Sequence, residues 1–189
     1  MLIFSAQEAA NILHQGHTLA YPTEAVWGLG CDPMNEVAFH NILKLKQRPI
    51  EKGVILLASS IEQIAPLLEN VSKEIQAQIV SSWSKDVKKD RATTWLLPVT
   101  SYIPTWIRGN HSSVAVRVTQ HRLCQEICDA FGNFIVSTSA NPAGVTPAKS
   151  LYDAQQYFHD DTYYLDGSLG ENSEPSQIID AVTGKFIRR

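Results

Sequence analysis

Two short stretches, Lys44-Leu45-Lys46-Gln47-Arg48-Pro49 and Ser137-Thr138-Ser139-Ala140-Asn141, carry side chains suited to holding an anion. Pro49 disfavours helical geometry at Arg48, so the chain is expected to leave a helix near Leu45 or Lys46. In an extended exit, residues two apart point the same way. Lys46 and Arg48 would then converge, with Lys52 nearby and Lys44 left on the helix. Two such cations suit a polyphosphate, with arginine as a planar fork and lysine as a compact point charge. The same residues also read as a solvated basic helix end that complements the helix dipole. The second stretch follows the apolar Phe134-Ile135-Val136. Small hydroxyls at the carboxyl end of a strand can take phosphate or carboxylate oxygens, and Asn141 can both donate and accept. An ordinary turn opened by Asn141-Pro142 fits these residues too.

Two other positions could join such a site. Tyr21-Pro22-Thr23-Glu24 stands at a second strand end, where Thr23 could touch a ligand and Glu24 could pair with a base or orient a cation. Arg117 lies among small apolar residues and needs an anion, either a ligand or a salt-bridge partner. Several standard arrangements are missing from the sequence. There is no Gly-x4-Gly-Lys-Ser/Thr loop, and Gly28-Leu29-Gly30 runs into Cys31-Asp32-Pro33 rather than a glycine-bearing helix start. His14, His17, His40, His111, His121 and His159 show no metal-ligand spacing, and no Ser-His-Asp or Cys-His set stands out. Positioning and charge are therefore the expected chemistry, rather than an enzyme nucleophile.

The elements that must carry these residues alternate between helix and strand. Ser5 caps a helix to about His14, and Thr18–Tyr21 forms a strand stopped by Pro22. A turn-rich segment runs through Gly30, and Asn35 opens a helix with Ala38, Ile42 and Leu45 on one face. Val54–Ala58 is a strand, followed by helices at about Ile61–Leu68 and Ser72–Val80. The charged run Lys85, Asp86, Lys88, Lys89, Asp90 and Arg91 is the segment expected to be most mobile. Strands Thr94–Val99 and Ser113–Val118, helix His121–Phe131 and strand Phe134–Ser137 follow. Ser150 and Asp153 resemble a capping box for a helix to Phe158, and short strands Tyr163–Leu165, Gln177–Asp180 and Lys185–Ile187 close the chain. The class is α/β with a mixed sheet, in a single domain over residues 1–189.

Composition agrees with a folded unit: 189 residues, 44% hydrophobic and 19% charged. The net charge of -3 gives no whole-molecule attraction for nucleic acid, so RNA contact would need a local basic patch. The N-terminus lacks the basic flank and long apolar core of a secretory signal, and no apolar run approaches a membrane span. Cys31, Cys124 and Cys128 lack zinc spacing and read as free thiols in a reducing cytoplasm.

The motifs together resemble the YrdC-like threonylcarbamoyl-AMP synthases of the short, single-domain bacterial type. Tyr21-Pro-Thr-Glu-Ala-Val-Trp-Gly-Leu-Gly30 is similar to that family's opening motif, and Leu45-Lys-Gln-Arg-Pro49 with Lys52-Gly53 to its basic motif. Ser113–Val118 corresponds to a core strand, Ser137–Asn141 to the hydroxyl motif, and Pro175–Asp180 with Phe186-Ile-Arg188 to the closing segment. The resemblance implies an open, twisted, YrdC/RibB-like sheet with flanking helices around a concave site. It also implies a chemistry in which L-threonine and bicarbonate give an N-carboxylated amino acid. The carboxylate of that species attacks the α-phosphorus of ATP and expels pyrophosphate, the first step toward threonylcarbamoyladenosine in tRNA.

By the same resemblance Lys46, Arg48, Ser139 and Asn141 are the functional tetrad. Lys46 and Arg48 would neutralise ATP phosphates, and Ser139 and Asn141 would hold nucleotide or carbamate oxygens. Lys44 and Thr94 would be further ATP contacts, with Arg188 folding back over the nucleotide. Thr23, Arg117, Ser137 and Ser176 would form the threonine side, Arg117 clamping the carboxylate. No residue is implied as a metal ligand, and magnesium would arrive on the phosphates. Implied partners are proteins that transfer threonylcarbamoyl to tRNA, and tRNA or other structured, double-stranded RNA on a face presenting Lys44, Lys46, Arg48, Lys52 and Lys149.

One departure stands out: many members carry Trp-Pro-Gly-Pro-x-Thr, whereas Trp83-Ser84 here runs into the charged segment before Thr94. The sequence ends before the extra C-terminal domain of longer members, so any lid is expected from its own loops. Two other readings of the residues stay open, an RNA-binding or ribosome-assembly module using the same groove and an enzyme acting on a sugar phosphate.

Overall fold

The computed structural model describes residues 1–49, 53–84, 91–172 and 174–188. In chain order the first elements are β1 (Leu2–Ile3), α1 (Ala6–His14), β2 (Leu19–Pro22), β3 (Trp27–Gly30), α2 (Glu36–Lys46) and β4 (Ile55–Ala58). Then come α3 (Ile61–Ile64), α4 (Lys73–Ser82), β5 (Thr93–Pro98), α5 (Thr105–Arg108), β6 (Ser113–Val118) and α6 (Arg122–Phe131). The last are β7 (Ile135–Ser139), α7 (Leu151–Phe158), β8 (Tyr163–Leu165), β9 (Gln177–Asp180) and β10 (Phe186–Arg188). Helix starts follow the capping residues. Ser5, Asn35, Ser72 and Ser150 each accept a hydrogen bond from the backbone N–H three residues on, supplying a partner to a helical donor that otherwise has none.

The strands form one ten-stranded sheet in the order β1-β8-β2-β3-β7-β4-β6-β5-β9-β10. It is mixed: β4 runs parallel to β6 and β5 to β9, whereas β7 runs antiparallel to both of its neighbours, β3 and β4. Side chains alternate across each strand, so the two faces read out separately. Val136, Leu56 and Val116 enter a core shared with α2, α4, α5 and α7. Ile135, Leu57 and Tyr21 enter the other core, closed by α1 and α6. Because α1 and α6 cover only part of that second face, the same alternation leaves Ile55, Ala115, Ser137 and Ser139 lining an open cleft beyond them.

Some elements differ from the expected ones. No strand is expected at the N-terminus, yet Leu2 and Ile3 pair with β8. Trp27–Gly30, read as turn, is a strand paired on both sides. Its register sets Gly28 opposite both Tyr21 and Ser139. The glycines that suggested a turn are there for close approach: a Cβ on Gly30 would lie 2.4 Å from the Val136 carbonyl oxygen. Pro22 ends β2 from within, and β7 continues through Ser139 because Thr138 and Ser139 pair with Leu29 and Gly28. The expected helix at 61–68 breaks at Ala65–Leu67 into a 3₁₀ turn carrying Pro66, and α5 was not foreseen.

The helix bearing Lys46 also ends differently from expectation. It runs to Lys46, and Gln47 then adopts a left-handed conformation (φ 50°) instead of an extended exit. The Arg48 N–H bonds the Leu43 carbonyl and the Gln47 N–H the Lys44 carbonyl, a pair of bonds that closes the helix and reverses the chain. Gly30→Ala should lower the urea midpoint by the equivalent of about 1–3 kcal/mol with unchanged slope. A midpoint equal to the wild type would contradict the close approach of β3 to β7.

Candidate functional site

The cleft encloses about 400 Å³. Its floor is the β4, β6 and β7 face described above, and its rim is built by three other segments. The β2–β3 turn brings Thr23 and Glu24, the reversal after α2 brings Arg48, and the closing strands bring Ser176 and Arg188. Of the residues singled out from sequence, Thr23, Arg48, Arg117, Ser137, Ser139, Ser176 and Arg188 line this cleft. Lys44, Lys46, Thr94 and Asn141 do not. Arg108, His111 and Asn172 line it too, and only their type could have marked them in sequence.

Arg117 and Glu24 are both buried, and Arg117 Nη2 lies 3.1 Å from Glu24 Oε2. The salt-bridge reading of Arg117 is therefore realised. The other Glu24 oxygen accepts from Thr119 Oγ1 at 2.6 Å and from the Gln120 N–H at 3.3 Å. Burial pushes the Glu24 carboxyl upward, but Arg117 and the Thr119 hydroxyl outweigh it and hold the group below its ordinary range. Arg117 Nε, also buried, has no hydrogen-bond acceptor among the described residues. Thr23 donates its hydroxyl to the Val26 carbonyl at 2.7 Å, which tightens the turn that presents Glu24.

Lys46 and Arg48 do not present themselves side by side, and the extended exit that would have aligned them is absent. Arg48 turns to the cleft and donates to the Gly53 carbonyl at 2.9 Å. Lys46 is 3% exposed, and its ammonium donates to the carbonyl oxygens of Ser139 and Asn141 and to Asn141 Oδ1. Burial first, and the Arg48 charge second, lower its pKa to about 7. Asn141 spends its amide on the Pro142 and Val145 carbonyls, at 3.1 and 2.7 Å. Lys44 is exposed on the outer side of α2.

At the opposite rim, the buried Thr94 hydroxyl bonds Ser176 Oγ at 2.8 Å. Arg188 donates through Nε and Nη2 to the Ser176 carbonyl at 2.9 and 2.6 Å. Burial, with Arg91 and Arg117 nearby, lowers the Arg188 pKa. Lys52 and residues 85–90 lie outside the described residues. The flanks of the charged segment are fixed, since Trp83 Nε1 donates to the Thr93 carbonyl at 2.8 Å and Arg91 pairs with Glu174 at 2.8 Å. A neighbouring cavity of about 600 Å³, lined by Trp83, His121 and Glu126, shares Glu24, Ala92 and Asn172 with the cleft. The three cysteines are free and buried. No helix among the described residues is long and apolar enough to cross a membrane.

The cleft thus collects guanidinium groups, hydroxyls and a buried ion pair from separate elements, an arrangement suited to aligning anions. The family model described as "Telomere recombination", Sua5/YciO/YrdC, matches residues 11–189. A threonylcarbamoyl-AMP synthase of Acinetobacter baylyi is 60% identical over 189 residues, covering 100% of this chain and 98% of that one. One of Acinetobacter baumannii is 58% identical over 188 residues, with 100% of both covered. The crystal structure of P. abyssi Sua5 complexed with L-threonine superposes with a TM-score of 0.87 at 25% identity. That match covers 98% of this chain, which spans only 56% of the longer protein.

The Glu24–Arg117 pair makes a pH-dependent contribution to stability. Because the folded carboxyl sits below its ordinary 4.5, that contribution is present above this value and is lost as pH falls through the folded value. Glu24→Gln should cost about 1–3 kcal/mol at pH 7 by urea unfolding. The gap to wild type should shrink as the pH drops below 4.5. A gap independent of pH would contradict the ion pair.

Proposed function

The chain belongs to the Sua5/YciO/YrdC family, and on that premise we propose that it is a threonylcarbamoyl-AMP synthase acting on L-threonine, bicarbonate and ATP. The threonine amine takes up the carbon of bicarbonate with loss of water, giving a carbamate. A carbamate oxygen then forms a bond to the α-phosphorus of ATP as the bond from that phosphorus to pyrophosphate breaks. Nucleophile and electrophile are both anionic, so the barrier is dominated by their repulsion and by in-line alignment. Among the described residues, the observation that carries the reading is the gathering of Arg48, Arg117 and Arg188 with Ser137 and Ser139 in the lining of one cleft.

The roles follow from position. Arg48, fixed by its bond to the Gly53 carbonyl, neutralises the phosphates, and Ser139 donates to a nucleotide or carbamate oxygen. Arg117, which lines the cleft with its Nη2 paired to Glu24, meets the threonine carboxylate. Thr23, Ser137 and Ser176 surround the amino acid, and Arg188 covers the nucleotide from the closing strand. Thr94 contributes through Ser176, whose hydroxyl it fixes.

Magnesium belongs to the phosphates and water. Among the described residues no group of three or more His, Cys, Asp or Glu side chains could hold a metal ion. The adenylate is a reactive mixed anhydride, so its consumers are proteins that transfer threonylcarbamoyl to tRNA. A groove that binds RNA would have to draw on Lys44 and Lys149, both exposed, because Lys46 is turned inward.

Pyrophosphate release should require threonine, bicarbonate and ATP together, with each omission returning it to background. Release that ignores threonine would contradict the proposal. Arg48→Ala should lower threonine-dependent release by about 100-fold or more. A loss of RNA affinity equal to the loss of adenylate formation in that variant would favour a shared RNA groove instead.

A further inference from the structure

Tyr21 is fully buried at the edge of the second core, yet its hydroxyl makes no hydrogen bond among the described residues. A phenol hydroxyl placed where water cannot reach it is costly unless it meets a partner. Phenylalanine would fill the same space without that cost. The ring springs from β2, and the wall it approaches is β7, with the glycines of Gly28-Leu29-Gly30 on the strand between them.

Those glycines make room for it. A Cβ on Gly28 would lie 3.3 Å from both Cε2 and Cζ of the ring, and one on Gly30 would lie 3.0 Å from Cε1 and 3.1 Å from the hydroxyl oxygen. Residues two apart share a face of a strand, so β3 presents no side chain where the ring crosses it. The ring therefore lies over β3 and carries its hydroxyl toward β7. On β7 the Val136 N–H bonds the Cys31 carbonyl and Thr138 pairs with Leu29, which ties the backbone on both sides of Ser137. Ser137 stands two residues after Ile135, and so on the face of the sheet that Ile135 shares with Tyr21.

Resting on the synthase reading, we infer that Tyr21 is a positioning residue: its hydroxyl donates to Ser137 Oγ, so that the Ser137 proton points into the cleft toward an anionic oxygen of the amino acid. Ser137 lines the cleft, and Tyr21 acts through it. A serine hydroxyl has one proton and two acceptor positions. With one acceptor position taken by Tyr21, the proton is left for the cleft, and a hydroxyl that accepts is a stronger donor. Burial pushes the Tyr21 pKa well above its ordinary value, and Ser137 is the neighbouring hydroxyl that acts on it. The phenol thus keeps its proton at neutral pH and serves as a donor. The two hydroxyls stop short of full hydrogen-bond geometry in the structure, and the bond closes when an anionic oxygen draws the Ser137 proton forward.

A double-mutant cycle on the full chain tests this, using Tyr21→Phe, Ser137→Ala and the pair, read by pyrophosphate release with threonine varied at saturating ATP and bicarbonate. Tyr21→Phe should lower kcat/KM for threonine by about 10-fold, with KM for ATP moving less than about 2-fold. The pair should be no worse than about 2-fold below Ser137→Ala, because Tyr21 has no route to the substrate except through Ser137. An unchanged kcat/KM for threonine, losses that multiply in the pair, or a loss chiefly in KM for ATP would overturn the inference.

Urea unfolding without substrates separates positioning from a packing role. Removing a buried hydroxyl that lacks a partner should leave the Tyr21→Phe midpoint equal to the wild type or above it. A lower midpoint, or a variant that does not fold, would overturn the inference by showing that the hydroxyl supports the fold itself. Failure of the synthase reading is recognised separately, as wild-type pyrophosphate release that needs no threonine.

Discussion

Repulsion among the guanidinium groups of Arg48, Arg117 and Arg188, brought into one cleft, is the constraint that the surrounding structure answers. Each is held by an acceptor that does not fill the cleft: Arg48 by the Gly53 carbonyl, Arg117 by Glu24, Arg188 by the Ser176 carbonyl. Glu24 is in turn fixed by Thr119 and Gln120, so this buried carboxylate beside the cations cannot swing into the cleft without losing its partners. The result is a positive cavity in a chain of net charge -3. A site of this kind binds anions because its charges are already oriented before the anion arrives.

The sheet supplies the geometry that this electrostatic arrangement needs. Period-two alternation sends apolar side chains of β4 and β7 into both cores and those of β6 into one. Where α1 and α6 stop, the same register turns Ser137 and Ser139 to the open face. The tight β3–β7 contact, with Gly30 against the Val136 carbonyl, brings the opening hairpin close enough for Thr23 and Glu24 to reach that face. A chemistry without a covalent intermediate asks for little more than such fixed groups, because alignment of two anions is the difficult step.

Much of this was legible in the sequence where a local rule governs. Capping residues such as Asn35 and Ser150 marked helix starts, and the alternation around Arg117 marked a strand with one side chain that needed an anion. The mixed α/β class also followed from the order of elements. What escaped depended on tertiary contact. Gly28 and Gly30 signal a turn by composition, yet they serve strand packing, and nothing local reveals that Val136 lies over Gly30. Leu2–Ile3 becomes a strand only because β8 lies beside it. Lys46 and Arg48 looked alike in spacing, but a left-handed Gln47, which no proline rule anticipates, separates them. Thr94 and Asn141 stand out in the sequence as a nucleotide contact and a tetrad member, but nothing local reveals the partners they meet, Ser176 and Lys46, which come from distant parts of the chain.

The central claim is that the cleft aligns ATP and a carboxylated threonine by fixed positive charge. A crystal structure of the chain with a non-hydrolysable ATP analogue and L-threonine tests it most directly. Phosphate oxygens are expected within hydrogen-bond distance of Arg48, the threonine carboxylate on Arg117, and the Glu24–Arg117 contact intact. Phosphates lying away from Arg48, or threonine bound outside this cleft, would contradict it.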